Sequence, residues 1–125
     1  MEQEIYYDNS ATTRVRDEVA QCMLDMMCSS YGNPSSLHSK GFEAQQRMEQ
    51  ARKQVAASLG CDASCITFTS GGTEADVLAL IGGSEAMKRP GDHIITTAIE
   101  HDAVLHTCKH LEDLGWRVTY LKPDS

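Results

Sequence analysis

The sequence predicts an α/β fold in which a parallel β-α-β-α-β core follows two N-terminal helices. Three observations predict it. Two stretches before residue 60 carry apolar residues at helical spacing, and short apolar runs alternate with helical patterns after it. The connections after residue 60 are also short, as in parallel strands joined by crossovers. We therefore expect an N-terminal segment, 1–60, with two helices and a site-lining loop, and the first part of an α/β domain, 61–125.

The N-terminal segment begins with a strand-like run at residues 5–7, which stops at turn-forming residues 8–10. Apolar residues at helical spacing then predict a helix from about residue 13 to about residue 28. Residues 29–36 are rich in Gly, Asn, Pro and Ser and predict an exposed loop. A long helix with one apolar face follows and stops at Gly60. That face consists of Ala44, Met48, Ala51, Val55 and Leu59.

The second half is predicted to contain three strands and two helices. The strands are expected at 65–69, 93–97 and 116–121, and the helices at 73–87 and about 104–114, the second ended by Gly115. Three parallel strands need helices on both faces and further chain at their edges. Because the sequence stops directly after the third strand, we expect it to belong to a longer chain.

Composition and charge argue against two classes of partner. The 125 residues are 41% hydrophobic, which suits one globular unit. The net charge of -7 comes with no basic cluster, so nucleic acid is not an expected partner. The acidic start, Met1-Glu2-Gln3-Glu4, is no signal peptide, and no apolar run approaches the ~20 residues of a membrane span. We expect a soluble, cytoplasmic protein.

The cysteines and histidines predict no metal site. Five cysteines form no C-x-x-C pair, which indicates reduced thiols, and Cys61 and Cys65 are expected to pack as small apolar residues. Asp102, His106 and His110 recur every fourth residue. A solvated helix face is the better interpretation, since this H-x-x-x-H lacks the Glu of a zincin.

The turn Ser70-Gly71-Gly72-Thr73 is a candidate anion site, because a strand-to-helix junction concentrates unpaired backbone N–H groups. Glycines let a ligand approach the backbone, and the Ser70 and Thr73 hydroxyls can add donors. The segment is neither a Walker A loop nor a G-x-G-x-x-G fingerprint. From these residues alone, a phosphate site and a plain tight connection are equally good interpretations.

Three other polar residues are ambiguous by themselves. His101 lies at a predicted strand-to-helix junction, where a helix cap or surface group is commoner than a catalyst. His38 and Lys40 lie in a polar loop, where a cofactor neighbour and simple exposure both fit.

Five segments match, in order, the motifs of one family. They are YYDNSATTRV (6–15), YGNPSSLHSKG (31–41), ITFTSGGTEAD (66–76), HIITTAIEHDAVL (93–105) and WRVTYL (116–121). They resemble cysteine desulfurases, pyridoxal-phosphate (PLP) enzymes of the class V aminotransferase fold. The resemblance covers nearly the whole chain and implies the N-terminal third of such an enzyme, which begins a fold-type-I large domain. Val77 departs from the pattern, since the family commonly has Asn there.

The resemblance implies a reaction and a set of site residues. The family transfers sulfur from L-cysteine to an enzyme cysteine, leaving L-alanine, for iron-sulfur cluster or tRNA thiolation pathways. Carried over to this sequence, Gly72 and Thr73 hold the PLP phosphate. His101 stacks over the pyridine ring and exchanges protons with substrate. Three further residues match segments near the family's active-site mouth: Asn9, Ala11 and Asn33. The implied partners are a sulfur-acceptor or scaffold protein and a second copy in a homodimer.

The resemblance also implies that two essential groups lie outside this sequence. The family's PLP-binding lysine follows a Ser-x-His segment, and no lysine here has that context. The persulfide cysteine belongs to a later loop that none of these cysteines matches. We therefore expect the 125 residues alone to be inactive and not to bind PLP covalently.

Other interpretations of the sequence stay open. Selenocysteine lyases and other class V aminotransferase-like enzymes share these motifs. A different class is a short, non-catalytic module that binds a phosphate-bearing ligand or a partner, and a truncated gene remnant is a third. A reading frame that continues past Ser125 into Ser-x-His-Lys would favour the enzyme.

Overall fold

The computed structural model describes residues 5–88 and 91–124. Its regular elements in that part of the chain are α1 (Asp17–Cys28), α2 (Ser39–Leu59), a 3₁₀ turn (Ala63–Cys65), α3 (Gly72–Met87), β1 (His93–Thr97), α4 (Asp102–Asp113) and β2 (Arg117–Leu121). The chain divides into two compact units, the first ending at Ile66 and the second beginning at Thr67. None of the helices within these residues is long and apolar enough to cross a bilayer.

In the first unit, helix α2 has well-defined ends. His38 is its N-cap, and the ring Nδ1 accepts a hydrogen bond from the Gly41 amide at 3.3 Å. Gly60 ends the helix in the left-handed conformation with φ of 68°, as the sequence predicted. Of the predicted apolar face, Ala44 is buried, whereas Met48, Val55 and Leu59 are exposed. The predicted apolar face is therefore only partly covered within the described residues.

The loop before α2 lies tightly against the first turn of that helix. The Lys40 ammonium donates to the Ser29 carbonyl at 3.3 Å and lies 4.7 Å from the centroid of the Tyr31 ring. Gly41 is buried, and a Cβ on it would lie 2.8 Å from the Asn33 carbonyl oxygen and closer still to that of Ser36. Only glycine fits at this contact between loop and helix.

The second unit contains a two-stranded parallel sheet joined by α4. Strands β1 and β2 pair in register from His93 with Arg117 to Thr97 with Leu121. Helix α4 contacts both β2 and α3. Leu111 and Cys108 of α4 are fully buried, and Trp116 is nearly so. This small core fixes α4, and with it the segment that connects β1 to α4.

The α/β class and the parallel pairing are confirmed, but two predicted strands are wrong. Residues 5–7 and 65–69 form no strand; residues 63–65 make the 3₁₀ turn, which is capped by the Asp62 carboxylate accepting from the Ser64 amide at 2.8 Å. A strand exists only when a neighbour completes its hydrogen-bond ladder. The described part of the chain offers these two segments no neighbour.

Helix α1 starts later than predicted, and its apolar side chains are poorly covered. It begins at Asp17 after an extended Arg16, and Asp17 and Glu18 supply the acidic first turn that a helix dipole favours. No residue of α1 or of α3 is buried. Met23 of α1 is 55% exposed and Leu78 of α3 is 50% exposed. An apolar helix with no buried residue presents a surface suited to packing against other chain.

Candidate functional site

The start of α3 provides backbone donors that face open space. The N-cap of this helix is Gly71, whose backbone is extended, and no side chain within the described residues caps it. The first N–H groups of a helix have no partner inside the helix. A Cβ added to Gly71 or Gly72 would meet no heavy atom within 4 Å. The turn therefore combines exposed N–H donors, the positive end of a helix dipole and room for a ligand.

Glu74 connects the two sides of this turn. Its Oε2 accepts from both the amide and the hydroxyl of Ser70, each at 2.6 Å. The Ser70 hydroxyl and amide, in that order, lower the pKa of the Glu74 carboxyl below its usual value. The Ser70 hydroxyl, which the sequence offered as a possible donor to an anion, thus donates to Glu74 in this structure. The exposed Thr73 side chain is the hydroxyl on the helix side of the glycines.

His101 is the N-cap of α4. Its Nδ1 accepts a hydrogen bond from the Ala103 amide at 3.1 Å, and its side chain is otherwise exposed. A neutral imidazole that accepts at Nδ1 carries its proton on Nε2. The cap interpretation from the sequence is thus confirmed, and the same bond directs an Nε2–H group and a ring face away from the helix backbone.

Two hydrogen bonds just before His101 restrain the connection between β1 and α4. The Thr97 hydroxyl, at the end of β1, donates to Glu100 Oε1 at 2.8 Å. The Ala98 amide continues the ladder by donating to the Leu121 carbonyl at 2.8 Å. The segment that carries His101 is therefore tied to the end of the sheet.

The topology fixes where His101 lies relative to the sheet. Helix α4 leaves the carboxyl end of β1 and leads to the amino end of the parallel strand β2, so it runs against the direction of the strands. Its N-terminal end, with His101, therefore lies at the carboxyl edge, where ligands of open parallel sheets bind. Helix α3, which begins with Gly72 and Thr73, packs on α4. That the turn at Gly72 and His101 form one site stays a prediction.

The three remaining predicted site residues belong to the first unit, where they stabilise turns. Asn9 Nδ2 donates to the Tyr6 carbonyl at 3.2 Å, and the Ala11 amide donates to the Asp8 carbonyl at 3.1 Å. Asn33 Oδ1 accepts from the Ser35 amide at 2.9 Å. All three are exposed. Their part in a functional site stays a prediction.

The other histidines have local environments that need no ligand. His38 caps α2, and the Lys40 beside it donates to the Ser29 carbonyl in the preceding loop. His106 and His110 are exposed on α4. In residues 5–88 and 91–124, no three or more His, Cys, Asp or Glu side chains are grouped as metal ligands would be.

Cysteine exposure differs sharply along the chain. Cys108 is fully buried, and burial, followed by the nearby Glu112, raises the pKa of its thiol, which keeps it protonated and unreactive. Cys61 and Cys65 are exposed, so the expectation that they pack as apolar residues is wrong. They lie at the two ends of the segment that forms the 3₁₀ turn, and neither side chain is covered by the described part of the chain.

Sequence reasoning missed the role of Glu74. The sequence does contain a pattern that indicates this role, since a glutamate three residues after an N-cap is the second half of a capping box. Here the cap is Gly71, which has no side chain, and Glu74 reaches back to Ser70 instead.

Comparisons with known proteins agree on one family. The family model described as aminotransferase class-V matches residues 5–125. The cysteine desulfurase IscS of Methanosarcina thermophila is 50% identical over 120 residues, which are 96% of this chain and 30% of that protein. A solved structure titled as a NifS-like protein superposes with a TM-score of 0.85 at 44% identity, over 95% of this chain and 33% of that one. Another, titled SspA in complex with cysteine, gives 0.83 at 39% identity, over 95% and 34%. The chain thus spans about a third of the length of these proteins.

Proposed function

Because the chain belongs to the class-V aminotransferase family, we propose that it forms part of a PLP-dependent cysteine desulfurase. The observation that carries the proposal is the open turn at Gly72, at the start of a helix that packs on α4, the helix capped by His101. Relatives named cysteine desulfurase at about half identity support the activity, and a relative titled as bound to cysteine favours cysteine over selenocysteine as substrate.

The donors at the turn fit a phosphate monoester. The Gly72 and Thr73 amides and the Thr73 hydroxyl would hold the phosphate of PLP, since all of them donate and the helix dipole favours an anion. When bound, PLP withdraws electron density from the amino acid that is attached to it. The residues of this chain contribute binding and orientation to that chemistry.

The Nε2 atom of His101 would hold and move a proton at the site. Its Nδ1 is occupied by the Ala103 amide, so Nε2 is the ring atom that can face a substrate. The flat ring supplies a surface against which a pyridine can stack. One residue thus fixes the start of α4 and presents an acid-base atom.

We further propose that these 125 residues bind the cofactor without a covalent bond and are inactive alone. No lysine in the sequence has the Ser-x-His context of the family's PLP lysine. Cys108 is buried with a raised pKa, so it does not serve as the sulfur-accepting thiolate. The activity, with a sulfur-acceptor or scaffold protein as partner, is proposed for the protein of which these residues form part. The free cysteines support a cytoplasmic location.

Pyridoxine 5′-phosphate, which lacks the aldehyde and cannot label lysines, should bind the 125-residue chain and shift the amide resonances of Gly72 and Thr73 in NMR titrations. Thr73→Val should weaken binding about tenfold, because one hydrogen bond to a charged group is lost. His101→Asn should weaken it about two- to tenfold, the worth of one aromatic stack, while asparagine still caps α4.

Two controls separate the site from general effects. Thr119→Val replaces an exposed threonine in the middle of β2 and should leave the affinity unchanged. Pyridoxine, without the phosphate, should bind far more weakly than its phosphate ester. Equal binding of the two compounds, or shifts confined to residues outside the turn, would refute the phosphate site.

A homodimer is the expected state of the family and is proposed here as well. The exposed apolar side chains of α1 and α3, Met23 and Leu78 among them, support it. Sedimentation velocity on the chain should show concentration-dependent self-association. Replacing Leu78 by Gln should reduce it, and Gln45→Ala, on an exposed polar site of α2, should not. A concentration-independent monomer would contradict the proposal.

A further inference from the structure

We infer that Glu74 is a positioning residue for the phosphate turn, which acts through Ser70 to hold the glycine pair in a binding-ready geometry. The inference rests on the proposed function and adds a residue to it. It concerns how the turn is shaped and which donors it offers a ligand.

The contacts of Glu74 span the whole turn. Ser70 precedes the two glycines, and Glu74 follows them in the first turn of α3. The Ser70 amide and the Ser70 hydroxyl each donate to the Glu74 carboxylate across the turn, both at 2.6 Å. No heavy atom lies where a Cβ of either glycine would be, so side-chain packing does not limit their backbone angles. The Thr69 hydroxyl donates to the Gly71 carbonyl at 3.1 Å and restrains one side of the turn. The Ser70–Glu74 pair adds the side-chain restraint that joins the residue before the glycines to the first turn of α3.

The same pair selects the donors available to a ligand. Because the Ser70 hydroxyl and amide both donate to Glu74, neither faces an anion over the glycines. The donors that remain belong to the helix side, at Gly72 and Thr73. The bound phosphate would then lie over the start of α3, in line with the helix dipole.

The charge of Glu74 acts in the opposite direction and is the weaker effect. The carboxylate is ionised and exposed, so it repels a phosphate. Water and salt screen the repulsion between exposed charges. The ordering of the turn does not depend on charge, since both Ser70 bonds end on the single atom Oε2. The carbonyl oxygen of a glutamine can accept the same two bonds.

This geometry distinguishes two substitutions in the full chain. Glu74→Ala should weaken the binding of pyridoxine 5′-phosphate about fivefold, the loss expected when one hydrogen bond's worth of ordering disappears. Glu74→Gln should bind within about twofold of the wild type, since the acceptor oxygen is kept. The amide proton of Ser70 should resonate downfield in the wild type and in the glutamine variant, and lose that shift in the alanine variant.

Two control variants separate a specific effect of Glu74 from a general effect on helix α3. Glu85→Ala, an exposed glutamate near the other end of α3, should change neither the affinity nor the Ser70 resonance. If Glu74→Ala lowers the helix content in circular dichroism, Ser70→Ala provides the test, because it removes one of the two bonds and should weaken binding with the helix intact.

The possible failures are distinguishable. Equal affinities of wild type and Glu74→Ala would overturn the inference and leave the phosphate site standing. Binding by Glu74→Gln as weak as that of Glu74→Ala would show that an acceptor oxygen at position 74 does not hold the turn in its binding geometry, which also overturns the inference. A wild-type chain that binds neither pyridoxine 5′-phosphate nor inorganic phosphate would remove the proposed site and the inference together.

Discussion

Leu111→Ala should lower the free energy of unfolding of the second unit by about 2–5 kcal/mol. Leu111 is fully buried in α4, beside the equally buried Cys108. Truncating its side chain removes apolar contacts and leaves a cavity between α4 and its neighbours. The core of this unit is small, so few other side chains can compensate.

The single tryptophan makes the measurement direct. Trp116 is the only tryptophan of the chain and is nearly buried in the same unit, so its fluorescence should follow the unfolding of that unit in urea. Because the chain has two units, this local probe is preferable to a signal from the whole chain. Pyridoxine 5′-phosphate binding should be lost at lower urea concentration in the variant, since α4 carries His101.

Leu114→Ala is the matched control. Leu114 follows the last turn of α4 and is 60% exposed, so its truncation should change stability by about 0.5 kcal/mol or less. Equal losses in the two variants would mean that Leu111 is not in the core.

The sequence predicted best the features that depend on neighbouring residues. The end of α2 at Gly60, the strand at 93–97 and the end of α4 before Gly115 follow from local periodicity and glycine stops. Both glycines have positive φ, 68° and 94°, which is the conformation that such stops require. Such features depend on local backbone conformation and so form independently of the chain that packs around them.

Features that depend on distant chain were predicted less well. The strand expected at 65–69 has suitable residues but lacks a partner among those described. The apolar spacing of α1 and the helix at 73–87 were predicted, but neither prediction could tell which chain covers these helices. Strand pairing and burial are relations between segments, and periodicity within one segment does not encode them.

The candidate site shows the same division. The open turn at Gly72 and Thr73 and the cap at His101 could be predicted, because turn chemistry and helix caps depend on consecutive residues. The partner of each side chain could not be predicted. The Ser70 hydroxyl donates to Glu74, and His101 Nδ1 accepts from the Ala103 amide, which leaves Nε2 as the free ring nitrogen.

Gly41→Ala should destabilise the first unit by about 1–3 kcal/mol, the usual cost of forcing an extra methyl into a packed site. Alanine at a helical position would otherwise gain about 1 kcal/mol over glycine. The predicted loss of stability is therefore opposite in sign to the gain that helix propensity alone would give. The cause is the close approach of the Ser36 and Asn33 carbonyls, which leaves no room for a Cβ.

Gly83→Ala in α3 isolates this cause. Gly83 is also helical, but a Cβ there would meet no heavy atom within 4 Å, so alanine should stabilise that helix by about 0.5–1 kcal/mol. Hydrogen exchange of the backbone amides in α2 and α3 measures the two effects in the elements concerned. A gain in both helices would show that the loop at 33–36 yields to a methyl group. A loss in α2 alone would show that the close contact between loop and helix decides which residue position 41 accepts.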